Sequence, residues 1–156
     1  MDIVDQQTRS RMMSNIKSKS TKPEMMVRAM LHGAGLRYRL HRKDLPGCPD
    51  LVLPKYRVAV FVHGCFWHLH QGCSIVKIPA SNSAFWLEKL GKNRERDQRQ
   101  IAELLALGWR VLVVWECVTR IKHLRDALLF QMVAWIKQGN ELAELPASPI
   151  PKTANR

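Results

Sequence analysis

The sequence predicts an α/β (α+β) fold, one mixed β-sheet flanked by helices, and three observations carry that prediction. Val58-Ala59-Val60-Phe61-Val62 and Trp109 to Trp115 are unbroken apolar runs of the kind found in strands buried on both faces. Segments with apolar residues at helical spacing lie before, between and after them, at Met26–Leu31, Phe85–Leu105 and Leu124–Ile136. The chain has 156 residues, 46% hydrophobic and 24% charged, which suits one domain with a core of ordinary size.

Taken in order, residues 1–20 form a basic N-terminal arm, with Arg9, Arg11, Lys17 and Lys19 among serines. Such an arm is either loosely structured or folds against DNA, offering Met12, Met13 and Ile16 as apolar wedges. The domain proper, 21–139, opens at Thr21-Lys22-Pro23-Glu24, where a Thr cap, an early Pro and a Glu three residues on announce a helix. Gly33 and Gly35 end it, and Leu36-Arg37-Tyr38-Arg39-Leu40 alternates as a half-buried strand does. The turn Pro46-Gly47-Cys48-Pro49 leads through Asp50 into Leu51-Val52-Leu53, and Pro54–Arg57 breaks the chain before the run ending at Val62. Ser83 or a neighbour caps a long helix closed by Gly108; a strand to Trp115 and a last amphipathic helix follow. Helix, three strands, helix, strand, helix makes a sheet with helices on its faces, its first three strands a meander. Residues 140–156, with Pro146, Pro149 and Pro151, are expected to fray.

The charge narrows the partner. A formal net charge of +12 makes polyanions the natural ligands, because each Lys or Arg set against a phosphate releases counterions. An anionic membrane surface would want a basic amphipathic helix with its cations opposite a bulky apolar face, and none is visible. No apolar run reaches the ~20 residues that span a bilayer, and no signal-peptide pattern opens the chain, so a cytoplasmic protein is expected. In a reducing compartment the four cysteines point to metal binding or burial rather than disulfides.

The chemistry concentrates in His63-Gly64-Cys65-Phe66-Trp67-His68-Leu69-His70-Gln71-Gly72-Cys73. Cys65, His70, Cys73 and the distant Cys117 offer a Cys3His set of the kind that holds structural Zn2+, although Cys117 alone reads equally as a buried small hydrophobe. His63 and His68 fall outside that set, and one of them can serve as a general base. Asp50, at the mouth of a strand, is either a turn residue or a Mg2+ ligand. Glu24 fits a capping box, or it orients a histidine or binds metal. Phe66 and Trp67, flanked by ligands in a tight loop, are placed to stack on or between bases.

Several blocks together resemble a known family: Thr8-Arg9-Ser10, Thr21-Lys22-Pro23-Glu24, Leu45-Pro46-Gly47-x-Pro49-Asp50, Phe61 to His68, Phe85-Trp86-x-x-Lys89 with Asn93 and Asp97, and Gly108-Trp109-Arg110-Val111 ending in Trp115-Glu116-Cys117. They are similar to the very short patch repair (Vsr) DNA mismatch endonucleases over about residues 6–137. The resemblance implies a restriction-endonuclease-like fold, a structural Zn2+, and Mg2+-dependent nicking of one strand 5′ to the thymine of a T:G mismatch left by deamination of 5-methylcytosine. It puts the catalytic Mg2+ on Asp50, the general base on His68, supporting roles on His63 and Glu24, and Zn2+ on Cys65, His70, Cys73 and Cys117. It further implies a wedge of Phe66 and Trp67 helped by Met13, with Arg9, Lys89, Asn93 and Asp97 among the DNA contacts. The common second acid and Lys on the strand after Asp50 are absent, and the resemblance implies the Val62 backbone carbonyl as the other metal ligand. A monomer is expected, with mismatch-repair accessory proteins as possible partners. The competing readings are a zinc-stabilised, non-catalytic DNA-binding module and a nuclease that cuts both strands of a perfect duplex.

Overall fold

The computed structural model describes residues 20–148, so Arg9 and Met13 lie outside it. The elements run α1 (Lys22–Gly33), β1 (Arg39–Leu40), β2 (Leu51–Leu53), β3 (Val58–His63), α2 (Ser83–Ala106), β4 (Arg110–Trp115), α3 (Glu116–Arg120), α4 (Lys122–Gln138) and β5 (Leu142–Leu145). They build one five-stranded mixed sheet in the order β1-β2-β3-β4-β5. The first three strands are an antiparallel meander, as the sequence predicts, while β3–β4 and β4–β5 are parallel. Each parallel step needs a helical crossover, supplied by α2 and then by α3 and α4.

The central strands explain their own composition. Val58, Val60, Leu112 and Val114 face α1 and α4, where Val27, Leu31, Leu128, Met132 and Ile136 are buried. Ala59, Phe61, Val111, Val113 and Trp115 face the other way, against Leu104 of α2 and the three buried cysteines Cys65, Cys73 and Cys117. A strand covered on both faces has no reason to alternate, so the runs are unbroken.

Two expectations are corrected. The Leu36–Leu40 strand shrinks to Arg39–Leu40, because Leu36 turns back to close α1: its N–H bonds the Leu31 carbonyl after Gly35 takes a left-handed φ of 81°. The segment beyond Gly139 does not simply fray, since Leu142–Leu145 pairs with Val111–Val114 as a fifth strand. Its half-exposed, edge character gives it no apolar run to be recognised by.

Candidate active site

The site lies where β2 begins and β3 ends. Asp50 immediately precedes β2, and its Oδ2 accepts the Val62 N–H at 2.7 Å, filling the place that a longer β2 would pair. The N–H and C=O of one strand residue point to the same side, so the Val62 carbonyl shares this opening. Gly47 makes the approach possible: its φ is 76°, and a Cβ there would meet Gln100 Oε1 and Phe61 Cζ at 3.0 Å. Burial, and then the nearby charge of Glu24, push the Asp50 carboxyl up to about 7 despite the Val62 hydrogen bond.

Glu24 starts its helix and also turns its carboxylate into a buried cluster. Thr21 Oγ1 accepts the Glu24 N–H at 3.4 Å, and Glu24 Oε1 accepts the Ser20 N–H at 3.1 Å, so the helix start is capped. The carboxylate is nevertheless buried and bonded through Oε2 to Arg28 and to His41 Nε2. Glu24, His41 and Asp50 bring three donor atoms within 4.8 Å of one another.

A second group stands across the same cleft. His63 and His68 stack with centroids 3.8 Å apart and planes 2° from parallel, and His68 Nδ1 is 2.5 Å from Asp97 Oδ2. Parallel rings aim their in-plane lone pairs side by side, a poor arrangement for one ion held by both and a good one for fixing a ring. Burial, with His68 and Arg96 nearby, drives the His63 pKa well down and keeps that ring neutral. The carboxylate bonded to His68 is that of Asp97, while Glu24 is bonded to His41. His41 and Asp50 of the first group and all three residues of the second line a cleft of about 580 Å³, and His63, His68 and Asp97 also wall a neighbouring cleft of about 800 Å³.

Between β3 and α2 the chain wraps a buried quartet. Cys65 Sγ, His70, Cys73 Sγ and Cys117 Sγ lie within 4.8 Å of one another, with Cys117 Sγ 3.7 Å from His70 Nδ1. His70 stacks on Trp115 at 4.1 Å, which sets its ring plane. A hydrogen bond with Cys117, then burial, push the Cys65 thiol well above its usual range, and burial pushes Cys73 up. Three crowded soft donors beside an imidazole fit a metal ion, whose charge would favour the thiolates that burial disfavours at Cys65 and Cys73.

Phe66 and Trp67 form a half-buried aromatic cluster with Trp86. Lys89 Nζ lies about 6 Å from both indole rings, and Phe85, stacked edge-on against Trp86, is 56% exposed. Asn93 donates to the Trp67 carbonyl at 3.1 Å and so braces the loop. Sequence reasoning missed three things: His41, the bond from Asp97 to His68, and the part of Trp86 in the cluster. Only Trp86 left a signal, as a tryptophan beside Phe85 on a mostly polar helix.

Comparison with known proteins completes the description. The family model for the DNA mismatch endonuclease Vsr matches residues 1–74. The chain is 53% identical over 116 residues to the type II nicking enzyme V.XorIIP of Xanthomonas oryzae, covering 74% of this chain and 85% of that protein. It is 47% identical over 137 residues to the DNA mismatch endonuclease Vsr of Escherichia coli, 86% of this chain and 87% of the relative. A third relative, the type II nicking enzyme V.NmeAIP of Neisseria meningitidis serogroup A, is 47% identical over 138 residues, 88% and 98% of the two chains.

Proposed function

The chain belongs to the Vsr family of DNA mismatch endonucleases, and from that premise we propose that it nicks one strand of duplex DNA 5′ to the thymine of a T:G mismatch, in a reaction that needs Mg2+. As a DNA endonuclease it is not the non-catalytic module that the charge and cysteines alone also allowed.

The observation that supports the mechanism is that Asp50, backed by the buried Glu24, and the bonded pair His68 and Asp97 line one cleft. Asp50 and the Val62 carbonyl would hold Mg2+, a hard ion that takes oxygen donors. When bound it supplies Lewis-acid charge against the scissile phosphate. With Nδ1–H given to Asp97, His68 presents Nε2 to a water and takes its proton as the water attacks phosphorus. The bridging P–O bond breaks, and its departing oxygen takes a proton from solvent. Asp97 stabilises the resulting imidazolium, and the neutral His63 fixes the plane of the His68 ring without adding a repelling charge. The buried quartet would hold a structural Zn2+, whose closed Cys3His shell leaves no position for substrate.

Recognition would fall to Phe66 and Trp67, backed by Trp86, inserted beside the mispair. Unstacking costs a few kcal/mol and is cheapest where pairing is already poor. Lys89 and the arginines of α2 would contact phosphates.

The test is Asp50→Ala, assayed by denaturing gel on a labelled T:G duplex and on its T:A counterpart. Nicking should fall by about 10³-fold or more, the scale of losing a preorganised charge at the reacting group. Undiminished Mg2+-dependent nicking by the folded variant would overturn the assignment, and equal nicking of the T:A duplex by the natural chain would overturn the mismatch reading.

A further inference from the structure

His41 takes no part in the mechanism above, yet it sits inside the proposed cation site. It follows β1 directly, in the left-handed region at φ 46°, a conformation uncommon for any residue but glycine. Its backbone N–H is bonded to the Asp50 carbonyl at 3.1 Å, so the two residues are fastened together. Its Nε2 lies 3.0 Å from Glu24 Oε2 and 4.0 Å from Asp50 Oδ1. An octahedral ion with bonds of 2.0–2.1 Å sets adjacent ligand atoms about 2.9 Å apart and opposite ones about 4.1 Å apart. The two distances from His41 Nε2 match that pattern.

The charges around the trio also leave room for a cation. Glu24 has Arg28 and His41 as partners, while Asp50 has the neutral Val62 N–H as its hydrogen-bond donor.

We infer that Glu24, His41 and Asp50 together bind the divalent cation of this site, with His41 Nε2 as a nitrogen ligand. The inference rests on the reading that Asp50 holds the metal and adds a consequence to it. Imidazole suits borderline transition ions better than it suits Mg2+, so this site accepts Mg2+ but prefers Mn2+. The ion takes the place between His41 Nε2 and Glu24 Oε2 that their hydrogen bond now fills. Arg28 remains on Glu24 and steadies its carboxylate.

The experiment titrates the zinc-loaded, DNA-free full chain with Mn2+ and with Mg2+ by calorimetry, and records the pulsed EPR of bound Mn2+ for coupling to ¹⁴N. The variants are His41→Asn, because Asn tolerates the left-handed backbone, His41→Gln as a second replacement, and Asp50→Ala. The natural chain should bind Mn2+ at least about 10-fold more tightly than Mg2+. His41→Asn and His41→Gln should lose about 10-fold or more of the Mn2+ affinity, change Mg2+ affinity far less, and lose the ¹⁴N coupling. Asp50→Ala should abolish binding of both ions. Unchanged Mn2+ affinity and persistent ¹⁴N coupling in the folded His41 variants would overturn the role of His41 while leaving Asp50 in place. Unchanged binding by Asp50→Ala would instead overturn the reading on which the inference rests.

Discussion

At the scale of single residues, the site works by pairing groups that are far apart in the chain. Asp97 is 12% exposed and directed at His68, 29 positions earlier. We predict that Asp97→Asn leaves mismatch binding, read by gel shift, within about 3-fold of the natural chain and lowers single-turnover nicking by about 10²- to 10⁴-fold, the range spanned by general-base catalysis and loss of its orienting carboxylate. An equal loss of binding and rate would instead make Asp97 a DNA contact, the role the family resemblance implied. Which residues gather in the clusters was largely legible here, because imidazoles, thiols and a lone Asp after a Pro-Gly turn are conspicuous in a chain with 13 acids and four cysteines. How they pair was not. His41 gave no sign of its place, since its partners Glu24 and Asp50 are joined to it only by the folding of α1 against the meander.

At the scale of elements, the loop from Gly64 to Ser74 carries the proposed wedge, base and metal ligands on one short stretch with little regular structure of its own. It is fixed at Cys65, whose Sγ accepts the Cys117 N–H at 3.4 Å and whose N–H bonds Glu116 Oε1 at 3.4 Å, so the start of α3 anchors it. The residue types, three thiols and an imidazole, made this cluster readable in the sequence, whereas its attachment to α3 needed the parallel pairing of β3 with β4, which brings His63 opposite Trp115. Cys117→Ser should therefore purify with less than about half an equivalent of zinc, because one of four ligands is lost. Its melting temperature should fall by about 10 °C or more, as a loss of several kcal/mol would give in a domain of this size. Metal analysis and thermal unfolding by circular dichroism check both, and a zinc-replete variant melting like the natural chain would remove the metal from this loop.

At the scale of the whole molecule, the C-terminal segment closes the sheet and reaches back to the site. Arg110, the first residue of β4, donates to the carbonyls of Ile136 at 2.8 Å, Trp135 at 2.7 Å, Gly139 at 3.0 Å and Asn140 at 3.1 Å, and its guanidinium lies 4.6 Å from the Trp135 ring. These bonds satisfy the end of α4, where helix carbonyls lack partners, and aim the chain into β5. β5 then sets Glu144 Oε1 2.9 Å from Trp115 Nε1, and Trp115 in turn stacks on His70 and meets His63 edge-on at 5.3 Å. An isolated Arg in a strand shows none of this in sequence, because its partners are backbone carbonyls, which every residue has. Arg110→Ala should cost about 3 kcal/mol in urea unfolding, since carbonyls bonded to a charged donor are left to water or to nothing. Arg110→Lys should recover less than half of that, because a point ammonium cannot span four carbonyls or lie flat on an indole as the planar guanidinium does. If Lys restores full stability, charge rather than shape holds the segment, and β5 docks by its strand pairing alone.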